Sequence, residues 1–282
     1  MLENTFCHIK GIGPKSEQKM WAAGILSWDD VMSMKHGILS PLVTKSIIAG
    51  VSESVEKLEM DDARFFCDML LSTENWRIFS NFRHSVAYID IETIGQYGSR
   101  EEITTIAMYD GSKLYYYIKG HNHKQFAQDI ERYELIVTYN GKCFDLPVIR
   151  RLLGIRMDQA HIDLRFVLHS LGFRGGLKGC EKQLGIDREE LDGLDGYFAI
   201  LLWQDYVNNH NHKALDTLLA YNILDAVNLE PLMVKAYNMK LEATPFESDR
   251  TIQDIPTAPT NPFEPDLETV DRLRSKYLSS YY

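Results

Sequence analysis

The segment Ser85–Thr93, which reads Ser-Val-Ala-Tyr-Ile-Asp-Ile-Glu-Thr, limits the possible folds more than any other stretch of the chain. Its apolar residues are mostly β-branched or aromatic and too few to span a membrane, a pattern typical of a buried strand. Asp90 and Glu92 interrupt this pattern. Because side chains alternate faces along a strand, both carboxylates are predicted on one face, roughly 6–7 Å apart. They would repel each other and lose hydration, which favours a divalent cation beside them; a solvated strand end with two exposed acids explains the same residues.

Composition is that of an ordinary globular protein. Of the 282 residues, 45% are hydrophobic and 25% are charged, and no apolar run has the length of a membrane span. The first residues do not read as a signal peptide and the four cysteines are widely spaced, so we expect a cytoplasmic protein with reduced thiols. The net charge of −10 argues against a protein that coats nucleic acid through overall charge. It does not exclude a nuclease, because the acids of a metal site contribute to that charge.

A mixed sheet with crossover helices is predicted to follow the first strand. Ile103–Tyr109 and Leu114–Ile118 are expected to form a hairpin around an Asp-Gly turn. A helix over His123–Tyr133 then leads to a buried fourth strand, Leu135–Tyr139. Strands that alternate with helices in this way predict an α/β fold.

Two later segments place further acids in this fold. After the fourth strand, Asp145 lies in the first turn of a predicted helix, where the helix dipole alone would favour an acid. A long helix over Lys213–Met239 carries Tyr221 and Asp225 one turn apart, hence on one face. Taken alone, this second pair is explained as well by a hydrogen bond on the helix surface.

The three motifs together are more specific than any one of them. Asp-x-Glu on a first strand, Asn-x-x-x-Phe-Asp after a fourth strand and Tyr-x-x-x-Asp on a late helix occur in that order. This order resembles the DEDDy branch of the DnaQ-like 3′→5′ exonucleases. The segments Asp-Ile-Glu-Thr, Tyr-Asn-Gly-x-x-Phe-Asp-Leu-Pro and Tyr-Asn-x-x-Asp are similar to the proofreading domain of family B DNA polymerases and to stand-alone predicted exonucleases. The resemblance covers about Val86–Leu232 and implies an RNase H-like fold, a mixed five-stranded sheet flanked by helices.

The same resemblance implies hydrolysis of phosphodiester bonds with two divalent ions, Mg²⁺ or Mn²⁺. Asp90, Glu92, Asp145 and Asp225 would bind the metal ions, with Asp90 bridging both, Asp225 on the first ion and Asp145 on the second. Tyr221 would position the attacking water, because a phenol with a pKa of about 10 is a poor base at neutral pH. A histidine branch also exists, but the position four residues before Asp225 holds a tyrosine, which assigns the tyrosine branch.

The amino-terminal segment contains a second motif, Gly-Ile-Gly-Pro-Lys at 11–15. Its glycines predict a tight turn, its proline suits the first turn of a helix, and Ser27 is placed to cap another helix. The segment resembles the helix-hairpin-helix motif, whose hairpin amides hold a DNA backbone phosphate without reading sequence. The residues that this resemblance implies in phosphate contacts are Lys10, Gly11, Gly13 and Lys15. Any helical hairpin with glycine at its turn would show the same pattern.

Four further residues are candidates for nucleic-acid contacts. Asn140 and Phe144 could hydrogen-bond to or stack on the terminal nucleotide, although Phe144 is explained equally well as a core residue. Arg174 and Lys178 belong to a basic glycine-rich segment that could contact phosphates or form a plain loop. Asp163, in a predicted strand, is interpreted as a structural residue.

The chain is accordingly divided into three regions. These are a helical domain with the helix-hairpin-helix motif over 1–75, an RNase H-like exonuclease domain over 80–240, and a Pro-rich acidic tail over 241–282. Residues 38–72 are predicted to be helical and Leu267–Tyr282 to form a short terminal helix. The main hypothesis is a metal-dependent 3′→5′ exonuclease acting on single strands or 3′ ends, with DNA favoured over RNA as the partner. The alternatives are an exoribonuclease and a nucleic-acid-binding module without catalysis; no membrane or protein partner is indicated.

Overall fold

A computed structural model describes residues 1–33, 41–96, 99–188, 191 and 193–279. Within these residues the central sheet has five strands in the order β3-β2-β1-β4-β5. The strands are β1 (Val86–Gln96), β2 (Ser99–Tyr109), β3 (Leu114–Ile118), β4 (Leu135–Thr138) and β5 (Ala160–Asp163). β2 is antiparallel to both of its neighbours, whereas β4 is parallel to β1 and β5. The predicted α/β fold with a mixed five-stranded sheet is confirmed.

The helices lie on both faces of this sheet and at the amino-terminal end of the chain. They are α1 (Pro14–Ala22), α2 (Trp28–Met32), α3 (Pro41–Glu59), α4 (Ala63–Met69), α5 (Phe79–Phe82), α6 (Phe126–Ile130), α7 (Asp145–Leu153), α8 (Leu164–Ser170), α9 (Gly176–Gln183), α10 (Gly196–Asn209), α11 (His212–Leu241), α12 (Glu247–Arg250) and α13 (Leu267–Ser279). In the described part of the chain, none of these helices combines the length and the apolar character needed to cross a membrane.

Most of the predicted helices are present with small changes in their bounds. The helix expected over His123–Tyr133 is shorter, because its first turn is a 3-10 turn and α6 ends at Ile130. The prediction of helix over 38–72 is confirmed for Pro41–Glu59 and Ala63–Met69 by α3 and α4, whereas 60–62 and 70–72 are not helical and 38–40 lie outside the described residues. α11 is longer than predicted at both ends and accommodates Pro231, which lacks the N–H that a helical residue would donate to the preceding turn.

Strand β1 sends its alternate side chains into two different cores. Val86 and Tyr88 are buried in the core that contains apolar residues of α11. The residues between and beyond them are buried in the core that contains residues of α6 and α7: Ala87, Ile89 and Ile91. Because of this alternation, Asp90 and Glu92 continue the face of β1 that lies against α11.

The amino-terminal segment shares a core with the sheet domain. Trp76 packs edge-on against Tyr237 of α11, with ring centroids 5.6 Å apart. The side chain of Arg77 is buried and pairs with Glu17 of α1 and with Glu74, each at 2.9 Å. This ion-pair network therefore ties α1 to the chain that leads into β1.

The predicted tight turn is present before α1, but the segment that precedes the turn is not an α-helix. Gly11 has a positive φ of 89°, Gly13 caps α1 and Pro14 is its first residue, as predicted. Ser27 caps α2, with its side chain accepting from the backbone N–H of Asp30. Among residues 1–13, the helical structure is one 3-10 turn at 2–4. The helix-hairpin-helix assignment stays a prediction.

The proline-rich tail runs along α11 in an extended conformation before it ends in α13. Asn238 on α11 exchanges two hydrogen bonds with the backbone of Ile252, at 2.8 and 2.9 Å. Further along, Asn261 donates to the carbonyl of Ala220 at 3.0 Å. The predicted terminal helix is present as α13, and residues 280–282 lie outside the described part.

Candidate active site

Three acidic side chains meet where β1 lies against α11. Asp90 and Glu92 on β1 and Asp225 on α11 each have a carboxylate oxygen within 4.8 Å of the other two. Glu92 and Asp225 are buried, with 9% and 4% of their surface exposed, and Asp90 is half-buried. The face alternation of β1 and the register of α11 therefore bring together residues that are more than 130 positions apart in sequence.

Asp90 is anchored to α11 by the residue that follows Tyr221. The Nδ2 atom of Asn222 donates to the carboxylate of Asp90 at 2.7 Å and to its backbone carbonyl at 3.2 Å. Asn222 is completely buried. The sequence places Asn222 directly after Tyr221 in the Tyr-Asn-x-x-Asp motif but assigns it no role. Its position inside that motif is the one signal in the sequence that points to it.

Asp145 reaches the site from the tight turn between β4 and α7. A Cβ atom on Gly141 would lie 2.1 Å from Thr138 Oγ1, so only glycine fits this turn. Asp163, at the end of β5, accepts the backbone N–H groups of Asn140 and Lys142 at 2.7 and 3.1 Å. The turn thus holds Asp145 as the buried first residue of α7. There its charge lies close enough to Asp90 to raise the pKa of Asp90.

The pKa values of all four acids at this site are raised. Burial, together with the neighbouring carboxylates, raises the pKa values of Asp90 and Glu92 well above their ordinary range. Burial raises the pKa of Asp145 to about 7. The pKa of Asp225 is also raised by burial, although the Arg188 guanidinium opposes the shift. Without a compensating cation the site therefore holds protons that the same groups would release in water.

Tyr221 lies beside the acids, on the same face of α11 as Asp225. It is 4% exposed, and burial followed by the charges of Asp225 and Glu92 raises its pKa far above the ordinary value. The Nζ atom of Lys178 lies 4.7 Å from the centre of the Tyr221 ring, in reach of a cation–π contact. At neutral pH the phenol stays neutral, so it donates or accepts hydrogen bonds and does not act as a phenolate base.

Comparison with known proteins agrees with this architecture. Residues 87–237, more than half of the chain, match a family model described as the RNase_H superfamily. The chain belongs to the RNase H superfamily. Members of this superfamily are in general hydrolytic nucleases that use divalent metals, and membership therefore supports a nuclease-type function for this domain.

A solved structure is similar to this RNase H superfamily chain over a limited part. It is the family B DNA polymerase from the hyperthermophilic archaeon Pyrobaculum calidifontis, with 17% sequence identity and a TM-score of 0.42. The similarity covers 58% of this chain and 26% of the polymerase, so the chain spans about a quarter of that protein. No curated protein sequence gives a significant match.

The acidic cluster of this RNase H domain fits a divalent cation. Asp90, Glu92 and Asp225 offer only oxygen donors, which are the donors that Mg²⁺ and Mn²⁺ prefer. A cation among them would offset the burial and the mutual repulsion that raise the pKa values of Asp90 and Glu92. Asp145 lies outside the group of three but is a fourth carboxylate at the same end of the sheet.

An arginine that sequence reasoning missed also contacts the cluster of the RNase H domain. Arg188, in the loop after α9, pairs with Asp225 and with Glu181 of α9. Its guanidinium carbon lies 5.5 Å from the centre of the Tyr221 ring. No local pattern marks this residue, because its partners lie 7 and 37 positions away in sequence.

The residues predicted to contact nucleic acid in this RNase H superfamily chain differ in their exposure to solvent. The hairpin residues Lys10, Gly11, Gly13 and Lys15 are exposed. Lys178 is beside the acidic cluster, with its Nζ atom buried and lacking a hydrogen-bond partner in the described structure.

The other three candidates lie in two loops of the domain. Arg174 donates to the backbone carbonyls of His169 and Phe173, both at 2.7 Å. Phe144 is 37% exposed, which makes it available to a ligand, and Asn140 accepts a hydrogen bond from Arg165 at 2.6 Å. All of these contacts with nucleic acid stay predictions.

Proposed function

We propose that the protein is a metal-dependent 3′→5′ exonuclease that hydrolyses phosphodiester bonds of DNA, at single strands or 3′ ends. The observation that carries this proposal is the buried cluster of Asp90, Glu92 and Asp225, with the neutral phenol of Tyr221 one turn from Asp225. The order and spacing of the three motifs support the tyrosine branch of the DnaQ-like exonucleases in particular.

Four carboxylates would hold two divalent ions, Mg²⁺ or Mn²⁺. Asp90, Glu92 and Asp225 form the described cluster, and Asp145 supplies the fourth carboxylate from the start of α7. When bound, such ions lower the pKa of the attacking water and stabilise the leaving 3′ oxygen. Without them the raised pKa values keep the acids partly protonated, so we expect metal binding to release protons.

The chain's own groups would orient the water and the substrate. Tyr221, kept neutral by burial and by the adjacent acids, positions the attacking water through its hydroxyl. Asn222 holds the carboxylate of Asp90 in place on the sheet side of the site. Lys178 contributes a buried positive charge beside the acids, where it would contact a phosphate of the scissile strand.

Residues outside the cluster would hold the rest of the strand. Phe144 and Asn140 flank the turn that carries Asp145, which supports a role for both in contacting the terminal nucleotide. Arg174 and the exposed hairpin residues would contact backbone phosphates without reading sequence.

Digestion of a 5′-labelled single-stranded oligonucleotide, as DNA and as RNA, tests this function. With Mg²⁺ or Mn²⁺ the wild-type protein should give a descending ladder from the 3′ end of DNA, and Asp90→Asn should abolish it. Tyr221→Phe should lower kcat by about 100-fold, as expected for the loss of one positioned group.

Tyr237→Phe is the matched control, since Tyr237 is buried on the same helix roughly 24 Å further along. We expect it to leave kcat unchanged. Faster cleavage of RNA than of DNA would reassign the substrate to RNA. No cleavage of either strand with any metal would contradict the proposal and favour a binding module without catalysis.

A further inference from the structure

Arg188 lies between an acid of the candidate site and an acid that belongs to no site. Its Nη1 atom pairs with both carboxylate oxygens of Glu181, at 2.9 and 2.8 Å, while its Nη2 atom contacts Oδ1 of Asp225. The three side chains are between 0% and 6% exposed. A guanidinium whose two Nη atoms both contact carboxylates and which is shielded from water is fixed in position.

Glu181 is itself held in place from α11. The Nδ2 atom of Asn228 donates to Glu181 Oε1 at 2.8 Å, and Glu181 has no exposed surface. Glu181 therefore balances the charge of Arg188 and fixes its direction at the same time. The Glu181–Arg188 pair is neutral as a whole, so it adds a directed hydrogen bond to Asp225 but little net charge to the acidic cluster.

From these contacts we infer that Arg188 is a positioning residue for the metal site, an inference that rests on the proposed function. It holds Asp225 in the side-chain orientation that brings a carboxylate oxygen within 4.8 Å of those of Asp90 and Glu92. Arg188 could instead act as a cation that occupies the place of a metal ion and moves away when the metal binds. The hydrogen bonds from its Nη1 atom to both carboxylate oxygens of buried Glu181 disfavour this role. Hydrogen bonds to metal-ligating carboxylates are expected to tune metal affinity in this way.

The test is calorimetric titration of the full chain with Mn²⁺ in the absence of nucleic acid. The variant Arg188→Met with Glu181→Gln removes both charges of the neutral pair, so Glu181 is not left as an unpaired buried charge, Asp225 loses only the contact under test, and Asn228 keeps an acceptor. If Arg188 positions Asp225, the double variant should bind Mn²⁺ about 10- to 100-fold more weakly than the wild type.

Arg77 offers a matched control elsewhere in the chain. It is a buried arginine with 5% side-chain exposure that pairs with buried Glu17, away from the acidic cluster. Arg77→Met with Glu17→Gln removes a pair of the same kind. This control should lower the thermal midpoint and leave the Mn²⁺ affinity unchanged, which separates positioning from a general structural role.

A second variant, Arg188→Lys, keeps the charge beside Glu181 but cannot bridge both acids with one ammonium group. It should also weaken Mn²⁺ binding, by a smaller factor, and it answers the question even if the double variant does not fold. Unchanged or tighter Mn²⁺ binding in a folded variant at position 188 would overturn the role of Arg188 and leave the proposed function intact. A wild-type protein that binds no Mn²⁺ would overturn both.

Discussion

At the scale of single residues, Asp145 couples proton binding to folding. Burial raises the pKa of this carboxyl group to about 7 in the folded protein. In the unfolded chain the same group has an ordinary pKa of about 3.9. Between these two values the metal-free folded protein binds a proton that the unfolded chain does not bind. The folded form is therefore favoured at low pH by this group and loses that advantage as the pH rises through about 7.

We therefore expect the metal-free protein to lose stability between pH 5 and pH 8. The contribution of Asp145 to the free energy of unfolding should fall by about 2–4 kcal/mol over the range, at about 1.4 kcal/mol per pKa unit. Asp145→Asn should flatten this part of the profile. Added Mg²⁺ should restore stability at pH 8, because an ion bound only by the folded state favours that state. Urea unfolding at several pH values, with a chelator or with Mg²⁺, measures both effects.

Asp68→Asn provides the control for this pH profile, since Asp68 is an acid with 68% side-chain exposure on α4. It should leave the difference between pH 5 and pH 8 unchanged. Parallel profiles for the wild type and Asp145→Asn would refute the link between Asp145 and stability.

Four of the residues that sequence reasoning placed at the site share one property. Asp90 with Glu92 and Tyr221 with Asp225 are close in sequence, so the geometry of one strand or one helix fixes their relation. Arg188, Glu181 and the anchoring role of Asn222 depend on contacts between different elements. No periodicity encodes such contacts, because they arise only when the loop after α9 packs on α11.

At the scale of elements, the turn between β4 and α7 determines where Asp145 lies. Gly141 approaches Thr138 so closely that any Cβ atom would overlap the threonine side chain, and its N–H donates to Thr138 Oγ1 at 3.0 Å. We expect Gly141→Ala to shift the turn and displace Asp145. Nuclease activity should fall by about 100-fold, as displacements near 1 Å at a catalytic site can produce, and the free energy of unfolding by about 1–3 kcal/mol. Steady-state kinetics and urea unfolding would measure the two effects.

Gly196→Ala is the matched control for this turn. Gly196 is the first residue of α10, and a Cβ atom there would meet no atom within 4 Å. Its activity and stability should equal those of the wild type. Full activity in Gly141→Ala would show that the turn does not set the position of Asp145.

Two segments of the chain depart from a regular α-helix for local reasons. The helix expected over His123–Tyr133 is reduced to a 3-10 turn and the short α6, because residues 131 and 132 turn the chain back toward β4. The chain before Gly11 contains no α-helix, and residues 7–10 form turns and a bend. There, buried Glu17 accepts the backbone N–H groups of Phe6 and Cys7, which replaces the bonds of a helix.

For the whole molecule, one continuous core joins the amino-terminal segment to the sheet while the hairpin stays on the surface. Residues from Met1 to Trp76 share a core with β1, β4 and α11. Lys10 and Lys15 are exposed beside the hairpin in a chain of net charge −10. If this segment binds phosphate, it does so through contacts of its own lysines and backbone amides, since the overall charge of the chain repels nucleic acid.

We expect Gly13→Val with Lys15→Ala to weaken binding of duplex DNA and reduce its salt dependence. A Cβ atom at Gly13 meets nothing within 4 Å, so we expect the valine to cover the hairpin amides without unfolding the protein. Each lost phosphate contact should lower the slope of log K against log salt by about 0.9. Fluorescence anisotropy at several salt concentrations, in an Asp90→Asn background that prevents digestion, measures this slope.

Lys19→Ala, an exposed lysine near the end of α1, is the charge control and should change the slope less. Equal affinity and equal salt slope in the hairpin variant and in Asp90→Asn alone would show that the hairpin does not bind nucleic acid.

Helix α11 has a consequence for how this protein could change during evolution. Its residues 212–241 carry Tyr221 and Asp225 in the first half and pack Tyr237 against Trp76 in the second. Loss or gain of one residue between these points would rotate one half against the other by about 100°. Point substitutions can be absorbed there, but length changes cannot. Structures of relatives should therefore show gaps in the loops that flank this helix and none between the positions equivalent to Asp225 and Tyr237; a gap inside would contradict this expectation.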